Sequence, residues 1–305
     1  MSKLKVEGRY IVNENGEIVT LKGLNIPDPQ HLNTKQNERP HINARLIADK
    51  VIALGATVIR IPVLTGSPTS LEGWFSSKSG EAKYFAEHLD PLVAHITSQR
   101  VYVIIDLHYV SNYSGKLPEV KRFWSYVAPK YKDNPYVIFE IFNEPIKPDS
   151  WVTFKAEIAQ PTVDLIRKLV PENLIIVGGP YWSAHMSGAV NLPVTGKNIA
   201  YTAHVYPNQN PLAWEKNFGA LTAVAPVFVT EWGWEKVNNP STSTGSTKSF
   251  GIPFYNWITE RGLSWCAWIF DFQWEPRMVD KDWNLKGGDK FMGEFVASKL
   301  KIVEN

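Results

Sequence analysis

The stretch Tyr136-Val-Ile-Phe-Glu-Ile-Phe-Asn-Glu-Pro145 decides the fold that this sequence predicts. Its aromatic and β-branched residues favour a strand, and a nearly continuous apolar run is typical of a parallel strand that is covered on both faces. Because Pro145 cannot donate a hydrogen bond to a neighbouring strand, we expect the strand to end at Glu144 and to hold this carboxylate at a rim. Taken alone, Asn143-Glu144-Pro145 is equally compatible with an acidic turn.

Strand-like and helix-like segments alternate along the rest of the chain. Further strands are predicted at residues 24–26, 57–62, 101–108, 173–177, 199–206, 226–231 and 263–270. Helical spacing of apolar residues predicts helices at residues 44–54, 81–99, 119–131, 151–169, 212–218, 248–261 and 290–300. The connection over residues 181–197 has no clear helical pattern. This alternation predicts parallel β/α units.

The number of units predicts the architecture. Eight strands without a break in composition favour one closed (β/α)8 TIM barrel over two domains, so residues 1–305 are predicted to form a single catalytic barrel domain. Before the first barrel strand, Asn15-Gly16 stands between two β-prone runs and predicts an N-terminal β-hairpin over residues 10–21. A Gly/Ser-rich stretch at residues 65–80 is predicted to be a loop.

Composition argues against several classes of protein. The 32 Lys and Arg residues nearly balance the 30 Asp and Glu residues, so nucleic acid and membrane surfaces are not expected partners. No apolar run is long enough to span a bilayer, and the opening residues do not resemble a secretory signal. The single cysteine, Cys266, excludes an intramolecular disulfide and is predicted to be a buried core thiol. The 12 Trp, 12 Tyr and 14 Phe residues suggest either stacking surfaces or an aromatic core.

A barrel brings the C-terminal ends of its strands to one face, where TIM-barrel enzymes carry their active sites. The residues predicted at these ends have a range of chemistry that packing alone would not select: Arg60, His108, Asn143, Glu144, His204, Tyr206, Glu231 and Trp268. Glu144 and Glu231 end the fourth and seventh strands and can face each other. Paired carboxylates flanking a scissile bond are what glycoside hydrolysis needs. A separation of about 5–5.5 Å gives retention and roughly 6.5–9.5 Å gives inversion, which the sequence leaves open.

These residues resemble a known family. Phe142-Asn143-Glu144-Pro145 and Thr230-Glu231-Trp232-Gly233 look like the signature of the retaining (β/α)8 glycoside hydrolases of clan A, and specifically of glycoside hydrolase family 5. The other strand ends match the family pattern through Arg60, His108, His204-Val205-Tyr206 and Trp268, and the resemblance extends from about residue 21 to residue 270.

The resemblance implies a role for each matching residue. Glu144 would be the general acid/base and Glu231 the nucleophile. Arg60 and the hydroxyl of Tyr206 are suitable donors to keep Glu231 ionised. Substrate binding is expected of Arg60, His108, Asn143, Trp182, His204, Tyr206, Trp268 and Trp274. No metal and no cofactor are implied. A metal-binding pair of Asp106 and His108 is the alternative for this histidine, and a hydrogen-bonded histidine is favoured because no third ligand is obvious.

Some aromatic and polar residues have two open interpretations. The residues with this choice are tryptophans that either line a cleft or pack inside the protein: Trp74, Trp214, Trp232, Trp234 and Trp274. Trp274 is the best cleft candidate of these, because loops beyond the eighth strand overhang the rim, and its place among the substrate-binding residues rests on this position and not on the resemblance. The stretch of residues 238–247, rich in Ser, Thr and Asn, is either a flexible lip or an ordinary connection. No role is assigned to His31, His41, His88, His95 or His185.

The function predicted from these features is that of a retaining endo-β-1,4-glucanase on cellulose or mixed-linkage β-glucan. A β-mannanase or another β-glycanase on the same scaffold is the alternative, because glucose and mannose differ only at C2. A non-catalytic carbohydrate-binding barrel is a remote alternative, against which the intact Glu144 and Glu231 argue. The expected partner is a β-linked polysaccharide or oligosaccharide, and a monomer is predicted. An extracellular location with the signal segment absent from this chain is expected, and a cytoplasmic location stays open.

Overall fold

The computed structural model describes residues 3–34, 42–64, 78–236 and 241–301. Eight parallel strands close into a barrel in which each strand pairs with the next one along the chain and the eighth pairs with the first. The strands are β1 (Lys22–Asn25), β2 (Val58–Val63), β3 (Tyr102–Leu107), β4 (Val137–Glu140), β5 (Ile175–Val177), β6 (Ile199–Val205), β7 (Val227–Trp232) and β8 (Ser264–Ala267). The predicted (β/α)8 TIM barrel is therefore confirmed.

The fourth strand ends earlier than predicted. β4 stops at Glu140 and not at Glu144, and Glu144–Pro145 instead forms a short parallel pairing with Val110–Ser111. Successive side chains of a regular strand point to opposite faces, so a strand continuing to Glu144 would direct Asn143 and Glu144 apart. The irregular backbone after Glu140 removes this alternation and lets both side chains reach the C-terminal rim.

Helices surround the barrel. The α-helical segments of the described residues are α1 (Pro29–Asn33), α2 (Ala44–Ala53), α3 (Lys78–Tyr84), α4 (Asp90–Ser98), α5 (Leu117–Lys130), α6 (Trp151–Phe154), α7 (Gln160–Leu169), α8 (Pro180–Ser183), α9 (Pro211–Trp214), α10 (Ala220–Thr222), α11 (Ile252–Glu260) and α12 (Gly293–Leu300). The connection over residues 181–197 contains only the end of α8 and one 3-10 turn at Ser187–Val190, as its weak pattern indicated.

Several helices contain a wider, π-helical turn, and three of these turns end two residues before a proline. A proline lacks the N–H group and clashes with the carbonyl four residues earlier, and a wider turn relieves this clash. The predicted helix at residues 151–169 therefore continues through its proline. The three pairs are Phe85–Leu89 with Pro91, Lys155–Ala159 with Pro161, and Thr247–Gly251 with Pro253.

The N-terminal hairpin is present, and the arms of the predicted turn meet at an antiparallel bridge between Val12 and Ile18. A longer ladder precedes this turn. Lys5–Glu7 pairs in antiparallel fashion with Tyr10–Val12. The Asn15-Gly16 pair belongs to a wider turn, in which Oδ1 of Asn13 accepts hydrogen bonds from the backbone N–H groups of Asn15 and Glu17, both at 3.0 Å. This side chain replaces the tight two-residue turn that Asn-Gly usually forms between strands.

Two hydrophobic cores support the barrel. The larger one lies between the strands and the helices, and Trp214, Trp232 and Trp234 pack inside it, which decides the open interpretation for these three residues. The smaller core fills the lower end of the barrel, where Leu4 and Leu21 pack with inward side chains that include the buried Cys266.

Some predictions cannot be compared with the structure. Trp74, His41, most of the loop at residues 65–80 and part of the stretch at residues 238–247 lie outside the described residues. Within the described ranges, no helix combines the length and the apolar character that crossing a membrane requires.

Candidate active site

The site at the C-terminal rim depends on a shift in strand register. His204 pairs with Glu231, whereas Thr202 pairs with Phe228, so β7 has one extra residue between these two positions. Such a bulge interrupts the alternation of side chains. As a result, Thr230 and Glu231 both direct polar atoms to the inside of the barrel, although they are neighbours in the chain.

A cavity of about 780 Å³ opens above the strand ends. Eight of the ten residues predicted as site residues line it. They are His108, Asn143, Glu144, Trp182, His204, Tyr206, Glu231 and Trp268. Residues after β5, β6 and β7 line the same cavity and were not predicted, among them Tyr181, His185, Asn208, Asn217 and Ser243.

The two predicted carboxylates face each other in this cavity. One carboxylate oxygen of Glu144, one of Glu231 and a ring nitrogen of His204 all lie within 4.8 Å of one another. The side chain of Glu144 is 15% exposed and that of Glu231 is 5% exposed. This separation of carboxylate oxygens is shorter than the roughly 6.5–9.5 Å found between the carboxyl groups of inverting glycosidases and is near the about 5–5.5 Å of retaining ones.

Arg60 lies beneath the cavity and does not line it. Its guanidinium is completely buried and donates hydrogen bonds to Glu140 (2.6 Å), Asn143 (2.7 Å), Glu231 (2.8 Å) and Asn25 (2.9 Å). It also forms an ion pair with Asp106 at 3.0 Å. The sequence placed Arg60 among substrate-binding residues and also expected it to donate to Glu231. The donation to Glu231 is present, whereas the complete burial of Arg60 leaves it no surface for direct contact with a ligand in the cavity.

Glu231 accepts a hydrogen bond at each oxygen. Nη1 of Arg60 donates to Oε1 at 2.8 Å, and the hydroxyl of Tyr206 donates to Oε2 at 2.8 Å. Burial and the nearby Glu231 raise the pKa of Tyr206 well above its usual value, so the phenol keeps its proton. Both donors stabilise an ionised carboxylate and fix its orientation.

His204 connects Glu144 to the interior of the barrel. Its Nδ1 donates to Oε1 of Glu144 at 2.9 Å, and its Nε2 donates to Oγ1 of Thr230 at 3.0 Å. Burial disfavours a charged imidazole, but Glu231, Glu140 and Glu144 more than offset this effect and raise the pKa of His204 to about 10. The ring is therefore positively charged at neutral pH, which accounts for its two donors.

His108 and Trp268 form one wall of the cavity. The two rings are parallel within 4° with centroids 5.4 Å apart, and Trp268 stacks in turn on Trp274 at 6.0 Å. Nδ1 of His108 is hydrogen-bonded to Oδ2 of Asp106 at 2.6 Å. This contact agrees with the sequence interpretation, which favoured a hydrogen-bonded histidine over a metal-binding pair. Burial lowers the pKa of His108 to about 4. Trp274 supports Trp268 from behind and is not part of the cavity lining.

Asp106 is one of three buried carboxyl groups around a single guanidinium, that of Arg60. Burial raises the pKa of Asp106 well above its usual value, and the neighbouring Glu140 adds to this shift. Glu140 is the opposite case: burial opposes its charge, but Arg60 and His204 lower its pKa to about 2. The charges of Arg60 and Glu140 therefore compensate each other in the barrel interior.

The sequence interpretation missed Glu140 and Thr230. Oγ1 of Thr230 donates to Oε1 of Glu140 at 2.8 Å, and Thr202 hydrogen-bonds to the same hydroxyl. A glutamate inside the apolar run of β4 was the available signal, because a buried carboxylate requires a partner. Thr230 had no comparable signal, since its inward direction results from the bulge in β7.

One cluster of described residues has the spacing of a metal site. Glu144, His204 and Glu231 offer three ligand atoms within 4.8 Å of one another. The chemistry of the surroundings fits a cation poorly, because His204 is itself charged and Arg60 donates to Glu231 at 2.8 Å. A metal ion would have to displace one positive charge and approach another.

Comparison with known families identifies this arrangement. The family model described as Cellulase (glycosyl hydrolase family 5) matches residues 12–273. The chain belongs to glycosyl hydrolase family 5. The match contains every strand of the barrel and all the cavity residues named above. Trp274 follows the match directly.

Two curated relatives illustrate the similarity within family 5. An endoglucanase of Clostridium saccharobutylicum is 28% identical over 301 residues, which are 98% of this chain and 62% of that protein. A cellulase of a Thermoanaerobacterium species is 30% identical over 237 residues, which are 70% of this chain and 57% of that protein. The chain thus spans about three fifths of the length of these two relatives.

Solved structures share the fold. A β-glucanase of Saccharophagus degradans superposes with a TM-score of 0.84 at 22% identity, over 98% of this chain and 93% of that one. The solved structure of a cellulase superposes with a TM-score of 0.79 at 26% identity, over 98% of this chain and 92% of that one. The family 5 barrel is therefore reproduced along nearly the whole chain.

Proposed function

We propose that this chain is a retaining endo-β-1,4-glucanase that hydrolyses cellulose or mixed-linkage β-glucan by double displacement. The observation that carries the proposal is the pair Glu144 and Glu231, whose carboxylate oxygens come within 4.8 Å of each other in one cavity. Such a short separation supports a direct attack by one carboxylate on the sugar. Similarity to relatives named endoglucanase and cellulase supports a β-glucan as the substrate.

The first displacement forms a bond to the protein. A carboxylate oxygen of Glu231 attacks the anomeric carbon, the bond from this carbon to the leaving oxygen breaks, and Glu144 gives its proton to that oxygen. Glu231 is suited to attack because Arg60 and Tyr206 hold its two oxygens at 2.8 Å each. The charged ring of His204, 2.9 Å from Glu144, stabilises the carboxylate that remains after the proton has left.

The second displacement reverses these roles. Glu144 takes a proton from a water molecule, the water oxygen attacks the anomeric carbon, and the bond to Glu231 breaks. The product keeps the configuration of the substrate because two inversions occur. Arg60 and Tyr206 then stabilise the charge that returns to Glu231, so the same donors serve both steps.

Asn143 is placed to bind the sugar at which reaction occurs. Its Oδ1 accepts a hydrogen bond from Nη2 of Arg60 at 2.7 Å, which leaves the amide N–H groups to donate outward. The amide lines the cavity beside Glu144. We assign it to a hydroxyl of the reacting sugar, with the parallel rings of His108 and Trp268 as the apolar wall for that sugar.

The test measures reducing ends released from carboxymethyl cellulose, barley β-glucan, mannan and xyloglucan. We expect the glucans to be cleaved, and we expect Glu144→Gln and Glu231→Gln each to lower the rate by at least about 10²-fold. Glu119→Gln is the matched control, because Glu119 is an exposed glutamate of α5. No release from any polymer would refute the endoglycanase, and preferred release from mannan would replace it by a β-mannanase.

Retention needs its own measurement. NMR of the anomer formed first from a β-linked oligosaccharide should give the β-anomer before mutarotation mixes the two forms. The α-anomer as first product would overturn the double displacement and would reassign one carboxylate to water activation.

The same proposal covers organisation and location. We infer that the chain acts as a single catalytic unit, since the N-terminal segment is joined to the barrel by a hydrogen bond from Val6 to Asn198 at 3.1 Å. A monomer is proposed, and light scattering tests it. An extracellular location is proposed because an insoluble polymer cannot enter a cell, and fractionation of the producing cells tests it.

A further inference from the structure

Asp106, near the end of β3, joins the buried charges of the barrel to one wall of the cavity. Its carboxyl group is completely buried. Oδ2 lies 3.0 Å from Nη2 of Arg60 and 2.6 Å from Nδ1 of His108. Oδ1 receives no hydrogen bond from any of the described residues. One oxygen therefore makes both polar contacts of this group, and the other makes none.

This arrangement suits a neutral carboxyl group better than an ionised one. An ionised Asp106 would leave Oδ1 charged and buried without a donor among the described residues, which is costly. With a proton on Oδ2, Oδ1 is an uncharged carbonyl oxygen, which costs less to leave without a partner. The hydroxyl at Oδ2 then has an acceptor within reach, because Nδ1 of His108 lies at 2.6 Å.

The surrounding charges also favour a neutral Asp106. Arg60 and the charged ring of His204 supply two positive charges. Glu140 and the proposed nucleophile Glu231 supply two negative charges. A third carboxylate would exceed the positive charge while the proposed acid is protonated. Burial raises the pKa of Asp106 well above its usual value, and the charge of Arg60 offsets this effect only in part.

His108 offers its other ring nitrogen to the cavity. Burial lowers the pKa of His108 to about 4, so at pH 7 the ring is neutral and carries a single N–H. Nδ1 faces the buried Asp106, whereas Nε2 has no hydrogen-bond partner in the part of the chain that the structure describes. The side chain is 11% exposed and lines the cavity. The contact to Asp106 and the parallel ring of Trp268 together fix the direction of Nε2.

We propose that Asp106 is neutral in the folded enzyme and donates a hydrogen bond from Oδ2 to Nδ1 of His108. The single N–H of the ring is then at Nε2, where it donates to a hydroxyl oxygen of the bound sugar. Asp106 is thus a positioning residue, which acts on a substrate only by selecting the tautomer of His108. The sugar as acceptor rests on the proposed endoglucanase function.

NMR of the chain with isotope-labelled histidine shows the tautomer directly and needs no substrate. The ring nitrogen resonances of a neutral imidazole differ between protonation at Nδ1 and protonation at Nε2. At pH 7 we expect His108 to be protonated at Nε2, and His108→Gln identifies its resonances by their loss. Protonation at Nδ1, or at both nitrogens, would overturn the proposal.

Infrared difference spectroscopy tests the proton on Asp106 itself. The difference between the parent and Asp106→Asn at pH 7 should contain the carbonyl band of a protonated carboxyl group. Glu235→Gln is the matched control: burial opposes the charge of Glu235, but hydrogen bonds from Arg277 and Lys286 lower its pKa. This control should lose a carboxylate band instead. Loss of a carboxylate band in Asp106→Asn would refute a neutral Asp106.

Asp106→Asn should also change the activity. Its amide oxygen, and not its N–H groups, suits the guanidinium of Arg60, so the same oxygen accepts from Nδ1 of His108 and Nε2 becomes an acceptor. We expect the reversed tautomer in NMR and a fall of about 10-fold in kcat/KM on barley β-glucan, the effect of one lost hydrogen bond. A reversed tautomer with the parent kcat/KM would refute the donor role of Nε2.

The failure of this proposal differs from the failure of the proposed function. A parent chain that cleaves no polymer, with His108 protonated at Nε2, would refute the function and leave the tautomer in place. A parent chain that cleaves β-glucan with His108 protonated at Nδ1 would refute only the role of Asp106. The NMR measurement on the parent decides this point even if Asp106→Asn does not fold.

Discussion

Arg60 and Glu140 form an ion pair beneath the floor of the cavity, with Nε of Arg60 2.6 Å from Oε2 of Glu140. Both side chains are completely buried. Nη1 of the same guanidinium donates to Glu231 at 2.8 Å. Glu140 therefore fixes the donor that holds the proposed nucleophile, although it lies outside the cavity itself.

Glu140 is also connected to Glu144, through a chain of hydrogen bonds. Its Oε1 accepts from Thr230 at 2.8 Å, Thr230 accepts from His204 at 3.0 Å, and His204 donates to Glu144 at 2.9 Å. One buried carboxylate thus supports both members of the proposed pair. Loss of the charge of Glu140 should therefore affect both the proposed attack by Glu231 and the proposed proton transfer by Glu144.

Glu140→Gln should lower both stability and turnover. Removing one partner of a buried ion pair is expected to cost about 3–5 kcal/mol of unfolding free energy at pH 7. Because the pKa of Glu140 is lowered to about 2, its contribution is present above about pH 4.5 and is lost as the pH falls toward 2. Urea unfolding at pH 7 and pH 3 checks this, with a smaller difference between parent and variant at pH 3.

Glu235→Gln is the matched control for Glu140. Glu235 is also buried, and Arg277 and Lys286 contact its Oε1 at 2.8 and 3.1 Å. Its substitution should lower stability without lowering kcat of the folded enzyme on β-glucan. Equal kcat values for the two variants would contradict the specific role of Glu140.

His204 should make stability depend on pH in the alkaline range. Its pKa is raised to about 10, so the charged ring contributes fully below about pH 6.5 and loses its contribution as the pH rises through 10. The unfolding free energy of the parent should fall by up to about 1.4 kcal/mol per pH unit within this range from His204 alone. Urea unfolding of the parent and of His204→Gln, from pH 7 to pH 10, isolates this slope.

His88→Gln controls for the loss of a histidine. Burial lowers the pKa of His88, so it has no proton to release above pH 7. Its variant should keep the alkaline slope of the parent. A slope that is unchanged in His204→Gln would show that the imidazole is neutral in the folded protein.

Trp268 and Trp274 should differ in their effect on catalysis. Trp268 lines the cavity and Trp274 only stacks behind it, at 6.0 Å. Trp274→Ala should therefore lower kcat/KM on cellohexaose by about 2- to 10-fold through loss of the stacked pair. Trp268→Ala removes the wall itself and should lower it further. A larger loss for Trp274→Ala would indicate that Trp274 contacts the substrate directly.

Ser183, which follows β5, allows backbone strain to be measured because its φ angle of 54° lies in the left-handed region. Ser183→Ala loses the 2.7 Å hydrogen bond to the carbonyl of Asn143 and should lower the unfolding free energy by about 1–3 kcal/mol. Ser183→Gly loses the same bond but adopts φ near 54° without a Cβ penalty, so it should recover about 1 kcal/mol. Denaturant unfolding of the three proteins checks the order. A glycine variant less stable than the alanine variant would contradict strain at this residue.

The barrel and most of the site could be predicted because they depend on local patterns. Apolar runs and helical spacing depend on neighbours in sequence, and parallel strands necessarily bring their C-terminal ends to one face. The positions of His108, Glu144, His204 and Glu231 in one cavity follow from that geometry. The resemblance to family 5 required only these residues and their order.

Other features depend on contacts that the apolar pattern does not specify, whether these contacts are local or join distant segments. The turn at Asn15-Gly16 widened because the side chain of Asn13 bonds to its backbone. Four tryptophans are alike in composition but differ in position. Trp214, Trp232 and Trp234 pack in the core, whereas Trp182 lines the cavity. Composition does not distinguish these positions, because burial depends on which helix covers each ring.

The stretch ending in Asn143-Glu144-Pro145 shows the division most clearly. Together with the seven other strand-like segments, the sequence by itself determined that this stretch forms a strand of a parallel barrel and that a carboxylate lies near its C-terminal end, since the apolar β-prone run favours a covered strand. Only the tertiary structure decided that β4 stops at Glu140 and that β7 carries a bulge. Both irregularities break the two-residue alternation of a strand, which is why neighbouring residues can all face one site.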